Sequence, residues 1–204
     1  MRVVIARQAR VAVLLTALVL TALELTGCMS GADSGPQPGM TKAWQPLTFR
    51  LGSVTLVDAA DGIEADPDLI GAFSRPPHQV VRDWAVARLH GTPGQPGRLV
   101  VDVNEASAAR TQLDTTPGVR GWFTRDQVER VTIRLAVHLE AQRNDGSLIA
   151  SADARASSNR TFGQRLAPAD RRAALDALLQ QALVALDREM ETQVRAQMAD
   201  LVTP

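Results

Sequence analysis

The stretch VTIRLAVHLEAQRNDGSLIASADARAS, residues 131–157, decides the fold. Val131, Ile133, Leu135, Val137 and Leu139 alternate with Thr132, Arg134, Ala136, His138 and Glu140. A period of two puts the first set on the buried face of a strand and the second on its wet face. Asn144-Asp145-Gly146 then reads as a hairpin turn, the glycine supplying positive φ. The returning strand turns Leu148, Ala150, Ala152, Ala154 and Ala156 to one side and Ser151, Asp153, Arg155 and Ser157 to the other. Its small inward alanines would let a helix backbone come close.

The sequence supplies that helix. From Pro168, Leu175, Leu179, Ala182, Leu186, Met190, Val194, Met198 and Leu201 recur at steps of three and four, with Asp170 at the positive dipole end. A helix reaching Leu201 is about 51 Å long against about 30 Å for a nine-residue strand. The overhang, Met190 to Leu201, must therefore kink, pack on an extra element or meet a partner.

Upstream, Leu99, Val101 and Val103 alternate with Val100, Asp102 and Asn104, a strand continuing toward Leu113. Before it, Pro76-Pro77 opens a helix with Val80, Val81, Trp84, Ala85 and Leu89 on one face and Arg82 and Asp83 pointing away. Earlier still, Leu47, Phe49 and Leu51 share a face until a phase change at Gly52-Ser53, then Val54 and Leu56 follow: one strand, Leu47 to Val57, with a bulge. The order is β-α-β-β-β-α. It predicts an α+β two-layer sandwich: a sheet of about four strands, mostly antiparallel, with both helices on one face and the C-terminal one long. The first two strands should be parallel neighbours and the rest an antiparallel meander.

The N-terminus reads as an address. Arg2, Arg7 and Arg10 precede an apolar run from Val11 to Leu23, followed by Leu25-Thr26-Gly27-Cys28, the order of a secretory signal over residues 1–27. At about 20 Å as a helix, the run falls short of the roughly 30 Å hydrocarbon core. Residues 28–45, with Gly31, Gly35, Pro36, Pro38 and Gly39, have the composition of a flexible tether, reaching roughly 20–25 Å. Residues 46–204 are then a single domain.

Leu25-Thr26-Gly27-Cys28 resembles the lipobox of bacterial lipoproteins, whose cysteine is acylated and becomes the first mature residue. The resemblance implies membrane anchoring through Cys28, stable because more than one acyl chain is attached. Met29 and Ser30 stand where enterobacterial lipoproteins carry an aspartate for inner-membrane retention, which implies the periplasmic face of the outer membrane. Loss of residues 1–27 leaves 19 basic and 21 acidic residues, a faintly acidic body. The element order is also similar to small envelope lipoproteins that serve lipopolysaccharide assembly or lipid-transporting ABC systems, and only Cys28 carries over from the comparison.

Composition excludes much else. With 22 basic and 22 acidic residues and no nucleic-acid-binding signature, nucleic acid is not an expected partner. Cys28 is the one cysteine, so intramolecular disulfides and multi-thiolate metal sites are ruled out. His78, His90 and His138 form no close ligand pair, and there is no GxSxG, SxxK or phosphate-binding glycine motif. No catalytic residue, metal or cofactor is expected. Arg134, His138 and Glu140, opposite Asp153 and Arg155, read as cross-strand charge pairing on a solvated face. They would become an acid/base cluster only if His138, Glu140 and Asp153 lined a concave pocket. Asp126, Glu129 and Arg130 read as surface charges.

Among seven aromatic residues, Trp122 and Phe123 are adjacent on a Gly-containing connection. They read as a plug over the end of the core or as an anchor for a partner. The expectation is a non-enzymatic accessory subunit that docks an envelope protein through the C-terminal overhang (Met190, Val194, Met198, Leu201), the Trp122-Phe123 loop or a free sheet edge. The alternative is a lipid- or glycan-binding module holding an acyl chain in a groove between the helices and the sheet.

Overall fold

The computed structural model describes residues 44–57, 66–113, 128–163 and 166–203, all within Pro38–Pro204, the larger of the two units into which the chain divides. The elements are β1 (Leu47–Phe49), β2 (Ser53–Val57), α1 (Pro67–Ile70), α2 (Pro77–Arg88), β3 (Leu89–Gly91), β4 (Arg98–Leu113), β5 (Val128–Gln142), β6 (Leu148–Phe162) and α3 (Pro168–Gln197), followed by a 3-10 turn at Ala199–Leu201. The main sheet runs β2-β4-β5-β6, with β2 parallel to β4 and the other pairs antiparallel. This is the α+β sandwich expected, with α2 over β4 and α3 over β6 and β5.

One core joins both helices to the sheet. Leu99, Val101, Ile133, Leu139, Ala152, Leu175, Ala182 and Leu186 are all 0% exposed, each large aliphatic contributing about 1.5–3 kcal/mol by leaving water. Alternation in β4 survives a bulge: the register shifts between Val103 and Glu105. Leu99, Val101 and Val103 face inward before it, Ala106 and Ala108 after it. The extra residue, Asn104, resets the phase so that a 16-residue strand keeps one face buried. The β5–β6 turn is as expected, with Gly146 at φ 84.

Three expectations are corrected. The first strand is two: the chain breaks at Arg50–Gly52, β1 pairs in parallel with β3 in a separate small sheet, and β2 joins the main sheet. Gly52 is required there, because a Cβ on it would collide with the Gln95 carbonyl. Leu148 is 54% exposed rather than inward, since the register slips where Gln142 pairs with Leu148 and Ala141 with Ala150. Between β2 and α2 lies α1, opened by Asp66, whose Oδ1 accepts from the backbone N of Asp68 and Leu69 at 3.1 and 3.3 Å. Leu69 and Phe73 from this segment are buried.

The third is the docking surface expected on the overhang of α3, which instead packs on an extra element, one of the three fates open to it. Met190, Val194 and Met198 are 1%, 0% and 2% exposed, in the same core cluster as Phe49 and Leu89. The extra element that covers them is the chain's own. After the 3-10 turn the tail runs antiparallel to β1: Arg50 N donates to the Leu201 carbonyl at 2.7 Å and Thr203 N to the Thr48 carbonyl at 2.9 Å. Met190, Val194 and Met198 are thus covered within the domain and offer no docking surface, while Leu201 is half-buried against the core.

Candidate functional site

Three places gather charged side chains. The first is the open face of the sheet. His138 on β5 lies between Asp102 of β4 and Asp153 of β6 in register. Its Nδ1 is 3.0 Å from Asp153 Oδ1 and its Nε2 3.3 Å from Glu140 Oε1. Partial burial pulls the imidazolium's pKa down, but the hydrogen bonds and charges of Asp153 and Glu140 outweigh it and hold the pKa above its ordinary 6.5. Gln142 Nε2 donates to Glu140 at 2.8 Å, and this bond, followed by that of His138, keeps the Glu140 carboxyl below its ordinary range. Asp102 Oδ1 is buried with no hydrogen-bond partner. The paired charges anticipated for Arg134 and Arg155 do not form: Arg134 sits opposite Ser157, and Arg155 opposite Ala136.

The second place is a cavity of about 360 Å³ at the far end of the sandwich, where β4 and β6 end and α3 begins. Its charged lining is Asp68, Arg110, Glu129 and Arg171, beside Leu69 and Phe162. The cations are engaged. Arg110 pairs with Asp66, and Arg171 pairs with Glu129 while its guanidinium stands 5.5 Å from the Phe162 ring centroid. Glu129 is therefore a largely buried ion-pair partner, correcting its reading as a surface charge. His138, Glu140 and Asp153 do not line this cavity. Among the described residues no group of three His, Cys, Asp or Glu side chains is placed to hold a metal ion, and no helix is long and apolar enough to cross a membrane.

The third lies between the helices. Asp187 of α3, 7% exposed, accepts from Trp84 Nε1 at 3.0 Å and Arg88 Nε at 2.8 Å. Arg88, 6% exposed, also donates Nη2 to Glu191 at 2.9 Å and Nη1 to the Gln45 carbonyl. With Trp84 1% exposed, this network ties α2 to α3 through buried side chains. Helical periodicity places Trp84 in the core but does not identify its partners. The signal was present: Arg88 is one helical turn after Trp84, and Asp187 interrupts the apolar stripe between Leu183 and Met190.

Cys28, Trp122, Phe123 and Asp126 lie outside the described residues.

No family model matches the chain, and comparison with curated proteins gives no match. Among solved structures the chain is similar to rare lipoprotein B from Shewanella oneidensis, at TM-score 0.40 and 11% identity over 71% of this chain and 96% of that one. It is also similar to a minor lipoprotein from Acinetobacter baumannii, at TM-score 0.34 and 17% identity over 78% of this chain and 99% of that one. A Xanthomonas campestris protein gives TM-score 0.34 and 14% identity over 76% of this chain and 90% of that one.

Proposed function

We propose that the chain is a lipoprotein of the bacterial envelope, acylated on Cys28 and held at the periplasmic face of the outer membrane. There it serves as a non-enzymatic accessory or assembly subunit of a transport or biogenesis machine. The observation that carries this reading is Leu25-Thr26-Gly27-Cys28, set directly after an arginine-bearing start and an apolar run. Trp122 and Phe123 are the proposed anchor for the partner, an envelope protein.

The test is crosslinking in intact cells, purification from membranes and identification of what is retained, with Trp122→Ala/Phe123→Ala as control. One defined envelope protein, lost in the variant, is the expected result. Recovery of lipid alone, unchanged in the variant, would overturn the accessory reading in favour of a lipid- or glycan-binding module.

A further inference from the structure

The two edges of the main sheet differ. β2 is five residues long. β6 runs for 15 residues with β5 on one side and, among the described residues, no strand on the other. Monomeric proteins ordinarily blunt a long edge with proline, lysine, a bulge or an inward charge, because its free N–H and C=O groups are a template for another chain. From Ala150 to Asn159, β6 has no proline, glycine or lysine, holds unbroken register with β5 and turns only alanine and serine inward.

We infer that this edge docks a second copy of the chain, β6 against β6, antiparallel, with Ala154 on the two-fold axis. Charge complementarity selects this partner and this register. Opposite residues of an antiparallel pair share a face, so outward residues must meet outward residues. The outward charges in the middle of β6 are Asp153 and Arg155. With Ala154 on the axis, each copy's Asp153 stands opposite the partner's Arg155, and the contact occurs twice. With Asp153 on the axis two carboxylates meet, and with Arg155 on it two guanidinium groups meet, both unfavourable. In the chosen register Ser151 faces Ser157 on the outer side, and Ala152 faces Ala156 and Ala150 faces Ser158 on the inner side, so no bulky group obstructs the ladder.

Two further features fit. Among the described residues Asp153 has no partner but His138, its side chain 57% exposed, and Arg155 has no hydrogen-bond or ion partner.

The experiment measures the mass of the full chain, in detergent with its anchor, by sedimentation and light scattering. Wild type should be a dimer. Arg155→Asp, which sets two carboxylates against each other twice, should weaken the dimer about tenfold or more. The exchange Asp153→Arg/Arg155→Asp should restore it, because the opposite charges still face each other. A fold effect of either substitution is separated by a second variant, Ser151→Cys/Ser157→Cys, which on oxidation should give a dimer crosslinked between position 151 of one copy and 157 of the other. A monomeric wild type, a dimer indifferent to Arg155→Asp, a folded exchange variant that stays monomeric, or no crosslink in the cysteine pair would each overturn the proposal. A monomer whose β6 amides are protected from hydrogen exchange would instead assign the edge to another segment of the same chain.

Discussion

Asp187→Ala should be among the most damaging single substitutions outside the apolar core. The change removes the acceptor of two buried bonds, from Trp84 Nε1 at 3.0 Å and Arg88 Nε at 2.8 Å. Hydrogen bonds to a charged group are worth about 1.5–3 kcal/mol each. Glu191, 35% exposed in its side chain, still holds Arg88 Nη2 and offsets part of the charge left behind. Removing one member of a buried pair costs about 3–5 kcal/mol, and the surviving contact argues for the lower end, about 3 kcal/mol. For a domain of this size that is a fall in Tm of roughly 6–12 °C. The assay is urea unfolding of wild type, Asp187→Ala and the double variant Arg88→Met/Asp187→Leu, which removes both charges while keeping volume. The double variant should recover part of the loss, since the Arg88 charge then needs no partner while the buried Trp84 N–H still lacks its acceptor. A single variant costing under about 1 kcal/mol, or a double variant no better than the single, would refute the reasoning.

Three other outcomes follow from the same structure. Gly97 has φ 82 and a Cβ there would sit 2.5 Å from the Gln142 carbonyl oxygen, whereas Gly94 has φ 84 and open space. Gly97→Ala should therefore cost about 1 kcal/mol or more beyond Gly94→Ala in urea unfolding, and equal costs would show that the close approach is not maintained. Raising the His138 pKa above 6.5 means its contribution to stability is complete below that value and is lost as pH rises through the folded pKa. Urea midpoints of wild type should fall on moving from acid to alkaline of neutrality relative to His138→Gln, and parallel pH profiles would contradict the pairing with Asp153 and Glu140. Ala152, 0% exposed beneath α3, leaves no room for a larger side chain. Ala152→Leu should destabilise by about 1–3 kcal/mol, and a neutral result would mean that α3 does not pack closely on β6.

The fold was legible where one face of an element is apolar and the other wet. The alternation from Val131 to Leu139 and the stripe from Leu175 to Val194 each specify one burial pattern, and the structure has both, save that Ala136 of the outward set is 7% exposed. Legibility failed where burial depends on what packs from elsewhere in the chain. Nothing local to Leu47–Val57 shows that its two halves join different sheets, because β1 is defined by its pairing with β3, which lies beyond α2. The fate of the α3 overhang depends on the tail returning to β1, a long-range pairing invisible to periodicity. The charged groups divide in the same way. His138, Glu140 and Asp153 were placed together by strand alternation alone. Arg88, Asp187, Glu129 and Arg171 needed tertiary contacts, although a charge inside an apolar helical stripe, as at Asp187, was a readable sign of a buried partner.

The anchor at Cys28 is tested most directly by the mass of the mature N-terminus. Protein purified from the membrane fraction should yield, by mass spectrometry, an N-terminal peptide that begins at Cys28 and carries the added mass of acyl chains, with Cys28→Ala accumulating unprocessed. An N-terminus elsewhere, or an unmodified Cys28 in protein released from the membrane, would contradict the account.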